Sequence, residues 1–252
     1  MREKYTNSMK KHTENAFHKV NDDFKIQIGD IESILDLEED MLATYCAIAQ
    51  LDGRILNEFT QMAIVIISKN IDYIYASFKL TQIGQYAAAR TIFRNIYESL
   101  IILKTVSISG SQQLLSDWMN GKNINMRKKV FEKIHSPQSE AMKLLWEDLC
   151  RFCHGTVFSR QQSHDYNKIK VAIEYNFVVL EMLLYMNYHV LNRYVFSDNM
   201  KAMADRNICT FEEMDIKEKR EVLRLKLKES KRSLSKEPQK VLTDFSKVWK
   251  YT

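Results

Sequence analysis

Apolar residues return every three or four positions along most of this chain, the repeat of an amphipathic helix and not the alternation of a strand. Phe17, Val20 and Phe24 mark a polar first helix over 3–25, suited to an arm. Asp30 stands where an N-cap would start a second helix, which runs through Ile34, Leu35, Met41, Leu42 and Tyr45 to a turn at Asp52-Gly53. A third helix over 55–81 carries Phe59, Met62, Ile66, Ile67 and Ile71 on its apolar side, and a fourth covers 85–107. After a break at 107–111, short helical pieces are expected at 112–119 and 125–134. Ser136-Pro137 is a helix start, serine as cap and proline in the first turn, and Gly155 is the matching stop. A polar loop over 156–165 then leads into a long helix over 166–194 with Val171, Tyr175, Val178, Met182, Tyr185, Tyr188 and Leu191. That helix is apolar nearly all round, so it belongs deep in a bundle.

The fourth helix organises the rest. Gly84 interrupts the preceding pattern, and Ala87, Ala88 and Ala89 favour helix immediately after it. Ala89, Phe93, Ile96, Leu100 and Leu103 form one apolar stripe. Arg90, Arg94 and Glu98 form a second line at i, i+4 and i+8, with Ile83 and Ile101 on the same side. Arginine stays charged in any surroundings, so if that line faces inward it needs a carboxylate, and Glu98 lies one turn from Arg94. Two outcomes are open: a pair enclosed by the bundle, or a surface pair at the edge of the apolar face.

The composition agrees with few, long helices: 6 Gly and 2 Pro in 252 residues leave little material for turns. With 45% hydrophobic and 27% charged residues the chain is globular, and the expected fold is an all-α multi-helix bundle. The organisation expected is a bundle over 1–197, then a linker and basic helical tail over 198–252. The net charge of +5 resides in that tail, because residues 201–252 hold 14 Lys and Arg against 9 Asp and Glu while the rest balances. From 217 to 232, cations alternate with Val222, Leu223, Leu225 and Leu227, a segment suited to an acidic partner, to RNA, or to folding back on the bundle. The polar N-terminus, short apolar runs and four cysteines predict a cytoplasmic protein with reduced thiols and no membrane span.

Several chemistries are disfavoured. Cys150-Arg151-Phe152-Cys153-His154 has the C-x-x-C-H form of haem attachment, but that chemistry requires export and a haem-enclosing loop. Zinc there would need two more ligands, and Cys46, Cys209 and His135 each lack a closely spaced second donor. No phosphate-binding glycine loop, H-E-x-x-H or G-x-S-x-G occurs, so no cofactor and no metal is expected. The acidic pairs at Asp22-Asp23 and Glu38-Glu39-Asp40 read as solvated faces.

Two stretches carry a family resemblance: Gly84 to Glu98, and Leu144-Leu145-Trp146-Glu147-Asp148-Leu149-Cys150-Arg151-Phe152-Cys153-His154-Gly155-Thr156. Together they resemble bacterial helical-bundle proteins in which an A…R…E helix precedes a helix ending in S/C-x-x-x-H-G/P. Those proteins look related to the HEPN superfamily and to abortive-infection proteins. The resemblance covers about 55–195 and makes Arg94, Glu98 and His154 the matching polar positions, with Arg151 as further positive charge. It implies an RNA-targeting effector of a phage-defence or toxin system, in which an Arg and a His cleave RNA without metal, usually across a dimer. Histidine near neutral pKa would serve as acid or base, and arginine would stabilise charge on the phosphorus. In HEPN ribonucleases that Arg and His lie farther apart than here: two residues separate Arg151 from His154, and three separate Arg160 from His164. The alternative is therefore a non-catalytic helical interaction or scaffold subunit of a defence complex, its polar residues fixing helix register.

Overall fold

The computed structural model describes residues 2–51, 56–134, 138–153 and 165–197, together with Lys236. Every regular element among them is helical, and the fold is all-α. In order these are α1 (Arg2–Asp23), α2 (Lys25–Leu51), α3 (Glu58–Gln82), α4 (Tyr86–Ser109), α5 (Gln112–Met119), α6 (Met126–Lys129), a 3₁₀ turn (Phe131–Lys133), α7 (Gln138–Cys153), α8 (Tyr166–Val190) and a closing π-helical segment (Leu191–Ser197). Helix α4 packs against α3, α7 and α8, and α8 in turn lies against α2 and α3. The 198–210 linker, the basic tail and the turn at Asp52-Gly53 lie outside the described residues, apart from Lys236.

Local chemistry sets the ends of these helices. Asn57 accepts from Thr60 N at 2.8 Å and starts α3. At its other end Gly84 takes φ +78°, Gly84 N donates to Thr81 O at 3.0 Å and Gln85 N to Leu80 O at 2.8 Å. This is a Schellman closure, which needs a left-handed residue at Gly84. A Cβ there would stand 3.0 Å from Ala16 Cβ and 3.4 Å from Ile169 Cδ1, so the glycine also allows α1 and α8 to close on the turn. Gly110, at φ +66°, ends α4, and the Asp165 side chain starts α8 by accepting from Asn167 N.

The apolar stripe of α4 is the centre of the core: Ala89, Phe93, Ile96, Leu100 and Leu103 are fully buried. Ile173, Phe177, Leu180, Leu183 and Leu184 bring α8 to the same depth. Each large side chain buried to this extent contributes about 1.5–3 kcal/mol relative to exposure.

Four expectations need correction. Asp30 does not cap α2 but sits inside it, buried, because Val20, Phe24, Ile28 and Ile31 carry the apolar repeat straight through. Phe24 N still donates to Val20 O and Ile28 N to Phe24 O, so α1 and α2 are nearly continuous. On α1 the buried line is Ala16, Val20 and Phe24, while Phe17 stays 41% exposed. Val171 on α8 is 69% exposed, because Tyr166, Ile169 and Ile173 carry the buried face of those turns and Val171 lies off it. Glu38 is fully buried, whereas its neighbours Glu39 and Asp40 face solvent as expected.

Glu38 is the end of a polar ladder through the core. Ser99 Oγ donates to Asn70 Oδ1 (3.0 Å), Asn70 Nδ2 to Asn187 Oδ1 (3.2 Å), and Asn187 Nδ2 to Glu38 Oε2 (2.7 Å). The chain of bonds runs α4–α3–α8–α2 and fixes the relative register of four helices. Burial pushes the Glu38 carboxyl up to about 8, although the bonds from Asn187 and from the Tyr188 backbone act the other way. No helix among the described residues is long and apolar enough to cross a membrane.

Candidate functional site

The second line on α4 divides. Arg90 turns to α8, giving Nε to Asn176 Oδ1 at 2.7 Å and Nη2 to Ala172 O at 3.4 Å, with its guanidinium 6.0 Å from the Tyr86 ring centre and 5.8 Å from that of Tyr175. Asn176 completes this knot by donating to Tyr86 O and Thr81 Oγ1. Desolvation lowers the Arg90 pKa from its ordinary value. Arg90 is thus a structural cation.

Arg94 and Glu98 face the other way, toward α7. Arg94 Nε donates to Glu98 Oε1 at 2.9 Å, and the same oxygen accepts from Trp146 Nε1 at 2.7 Å. Their side chains are 25% and 18% exposed, which is neither a sealed core pair nor a surface pair. They form one wall of an open cleft of about 650 Å³, lined also by Trp118, Lys122, Asn123, Asn125, Arg127 and Trp146.

The opposite wall is built by a tight connection after α5. Gly121, at φ +70°, lets Gly121 N donate to Trp118 O and Lys122 N to Asp117 O, a second Schellman closure that swings residues 121–127 across the cleft. Asn125 then caps α6 by accepting from Lys128 N. Lys122 Nζ lies 2.7 Å from Asp117 Oδ1, which holds the Asp117 carboxyl below its usual range with help from the Gln113 amide. Arg127 Nη2 pairs with Glu147 Oε1 at 2.8 Å across to α7.

Both tryptophans are braced. Lys69 Nζ sits 4.9 Å from the centre of the Trp118 ring, and desolvation lowers that lysine's pKa. Trp146 packs against Phe131 at 5.8 Å between ring centres while its indole nitrogen is held by Glu98. The cleft therefore offers two oriented aromatic rings, three cations (Arg94, Lys122 and Arg127) and amide groups from two asparagines. Aromatic faces of this kind accept planar bases, and the cations accept phosphates.

Of the residues expected from sequence, Arg94 and Glu98 are in the cleft together. Arg151 is not among its lining residues; it is largely exposed on α7, with Nη1 3.7 Å from Asp148 Oδ1. His154 lies outside the described residues. None of the described lining residues is a histidine, and no His/Cys/Asp/Glu group among the described residues is arranged to hold a metal. Cys150 is half-buried and Cys46 is exposed, and neither is in a disulfide. The residues that sequence reasoning missed are Trp118, Lys122, Asn123, Asn125, Arg127 and the role of Trp146. Their one sequence signal is the largely polar turn 120–125, which begins two residues after Trp118. Comparison with protein-family models, with curated proteins and with solved structures finds no match to this chain.

Proposed function

We propose that this protein is a HEPN-like RNA-directed effector of the phage-defence or toxin kind, and that the α4–α5–α7 cleft is where it holds single-stranded RNA. One observation carries the reading: Trp118 and Trp146 stand with Arg94, Lys122 and Arg127 around one open cleft of about 650 Å³. Stacking on such rings contributes about 1–3 kcal/mol per base and tolerates any sequence, while the cations neutralise backbone phosphates. A duplex keeps its bases stacked on each other and cannot use the tryptophans, so the cleft favours single strands.

In this reading Glu98 orients rather than reacts. It fixes the Trp146 ring and the Arg94 guanidinium, the latter facing the phosphate. Cleavage, where it occurs, draws its acid–base group from His154, and metal is not required.

A second reading, a non-catalytic interaction subunit of a defence complex, also has support. Arg151 is not among the residues lining the cleft with Arg94 and Glu98, and its guanidinium lies 3.7 Å from Asp148 instead. Fluorescence anisotropy with a labelled single-stranded RNA, its duplex and the equivalent DNA tests the binding claim. Binding of the single strand, weakened about tenfold or more in Lys122→Glu/Arg127→Glu, is expected. Equal affinity for duplex, or no effect of the double substitution, would refute it. Incubation with total RNA in chelator separates the two readings: cleavage lost in His154→Ala supports the enzyme, and binding without cleavage supports the subunit.

A further inference from the structure

On the bundle lies a second groove, between α2 and α3. Leu35, Leu42 and Ile71 form its floor, and Glu32, Asp36, Glu39 and Asp72 stand along it, in a volume of about 360 Å³. The one cation paired with these carboxylates among the described residues is Lys79, 3.6 Å from Glu32. Apolar side chains are left in water beside it: Tyr75 is 53% exposed and Val65, on the same side of α3, is 55% exposed. An apolar floor edged by like charges is incomplete without a cover of opposite sign, since the carboxylates repel one another and the apolar surface gains nothing from water.

We infer that the covering partner is the chain's own basic segment 217–232, docked in cis. Three observations select it. Charge is the first: the segment has eight Lys and Arg against three Glu, and the three cations of the α4–α5–α7 cleft leave the acidic groove as the natural seat for it. Apolar match is the second, because Val222, Leu223, Leu225 and Leu227 stand among those cations and suit the Leu35–Leu42–Ile71 floor. Reach is the third. The continuous described stretch runs to Ser197 on the π-helical segment, which packs on both α2 and α3, the walls of the groove. Tyr194 lies edge-on to Phe59 at 5.6 Å, and Asp72 is about 20 Å farther along the same helix. The nineteen residues from 198 to 216 span up to about 60 Å when extended, ample for that distance.

The docked segment neutralises the groove and keeps a strongly basic stretch from binding nucleic acid indiscriminately. The inference does not depend on the RNA reading, because the groove and the cleft share no lining residue.

Carbodiimide cross-linking of the full chain tests it, since this reagent joins carboxylates to lysine amines already in contact. An equimolar mixture of ordinary and ¹⁵N-labelled protein is used, with linked peptides identified by mass spectrometry. The expected result is isotope-pure links from Asp36, Glu39 and Asp72 to Lys217, Lys219, Lys226, Lys228 or Lys231. Arg220→Glu/Arg224→Glu leaves every lysine in place, and should reduce those links at least about fivefold by reversing the attraction. Mixed-isotope links would overturn docking in cis in favour of a second copy. Links to exposed Glu14 and Glu132 as frequent as those to the groove, no links at all, or links unchanged in the arginine variant would overturn the inference outright.

Discussion

Removing Glu98 tests how the cleft is held together. Glu98 Oε1 accepts from Arg94 Nε at 2.9 Å and from Trp146 Nε1 at 2.7 Å, so Glu98→Ala strands two donors at once. Breaking an enclosed pair costs about 3–5 kcal/mol, and breaking a surface pair about 0–1 kcal/mol. With side chains 25% and 18% exposed the ion pair falls between, since water in the cleft screens it and partly resolvates Arg94. The indole bond to a charged acceptor adds to this, discounted in the same way, and the expected total is about 2–3 kcal/mol. Glu98→Gln keeps an acceptor for Trp146 and loses only the charge, so about 1 kcal/mol is expected. For a chain of this size those values lower the melting temperature by about 5–10 °C and about 2–4 °C. Thermal unfolding followed by circular dichroism gives both, and a double-mutant cycle with Trp146→Phe isolates the indole bond, for which about 1 kcal/mol of coupling is expected. Glu98→Ala melting within about 1 °C of wild type, or Glu98→Gln as damaging as Ala, would refute this account.

Glu38 gives a pH signature. Its folded pKa of about 8 exceeds the ordinary 4.5, so the folded state binds the extra proton and stability is fully present below 4.5 and lost as pH rises through 8. Between those values the cost is up to about 1.4 kcal/mol per pH unit, and Glu38→Gln should flatten the fall in urea midpoint seen from pH 5.5 to 8.5 in wild type. A wild-type midpoint that rises across that window would contradict the buried carboxyl. Gly84→Ala forces a side chain into φ +78° and within 3.0 Å of Ala16, so a loss of about 1–3 kcal/mol is expected in chemical denaturation. Tyr97→Phe leaves Met142 O without the 2.8 Å bond from the buried phenol, for an expected loss of about 1–3 kcal/mol.

The parts of the fold readable in the sequence were those governed by local periodicity and turn chemistry. Helix α5 has the bounds expected, the α4 stripe is buried throughout, and Gly84 ends α3 because glycine takes the left-handed conformation without the Cβ penalty. Asp30 misled because a good capping residue inside an unbroken apolar repeat does not stop a helix. Glu38 misled because its charge pattern matches a solvated face, and its partner Asn187 lies 149 residues away on α8. The Arg94–Glu98 pair was legible from its spacing, whereas its position at the edge of a cleft was not. That depends on where the 121–127 connection crosses, and a tertiary placement of this kind leaves no period in the sequence.

The central claim, that the cleft holds single-stranded RNA, is tested most directly by photo-cross-linking with a 4-thiouridine oligonucleotide and mass-spectrometric localisation of the adducts. The account predicts adducts on Trp118, Trp146 and the 121–127 connection, suppressed by Lys122→Glu/Arg127→Glu. Adducts confined to residues 201–252, or none above a heat-denatured control, would contradict it.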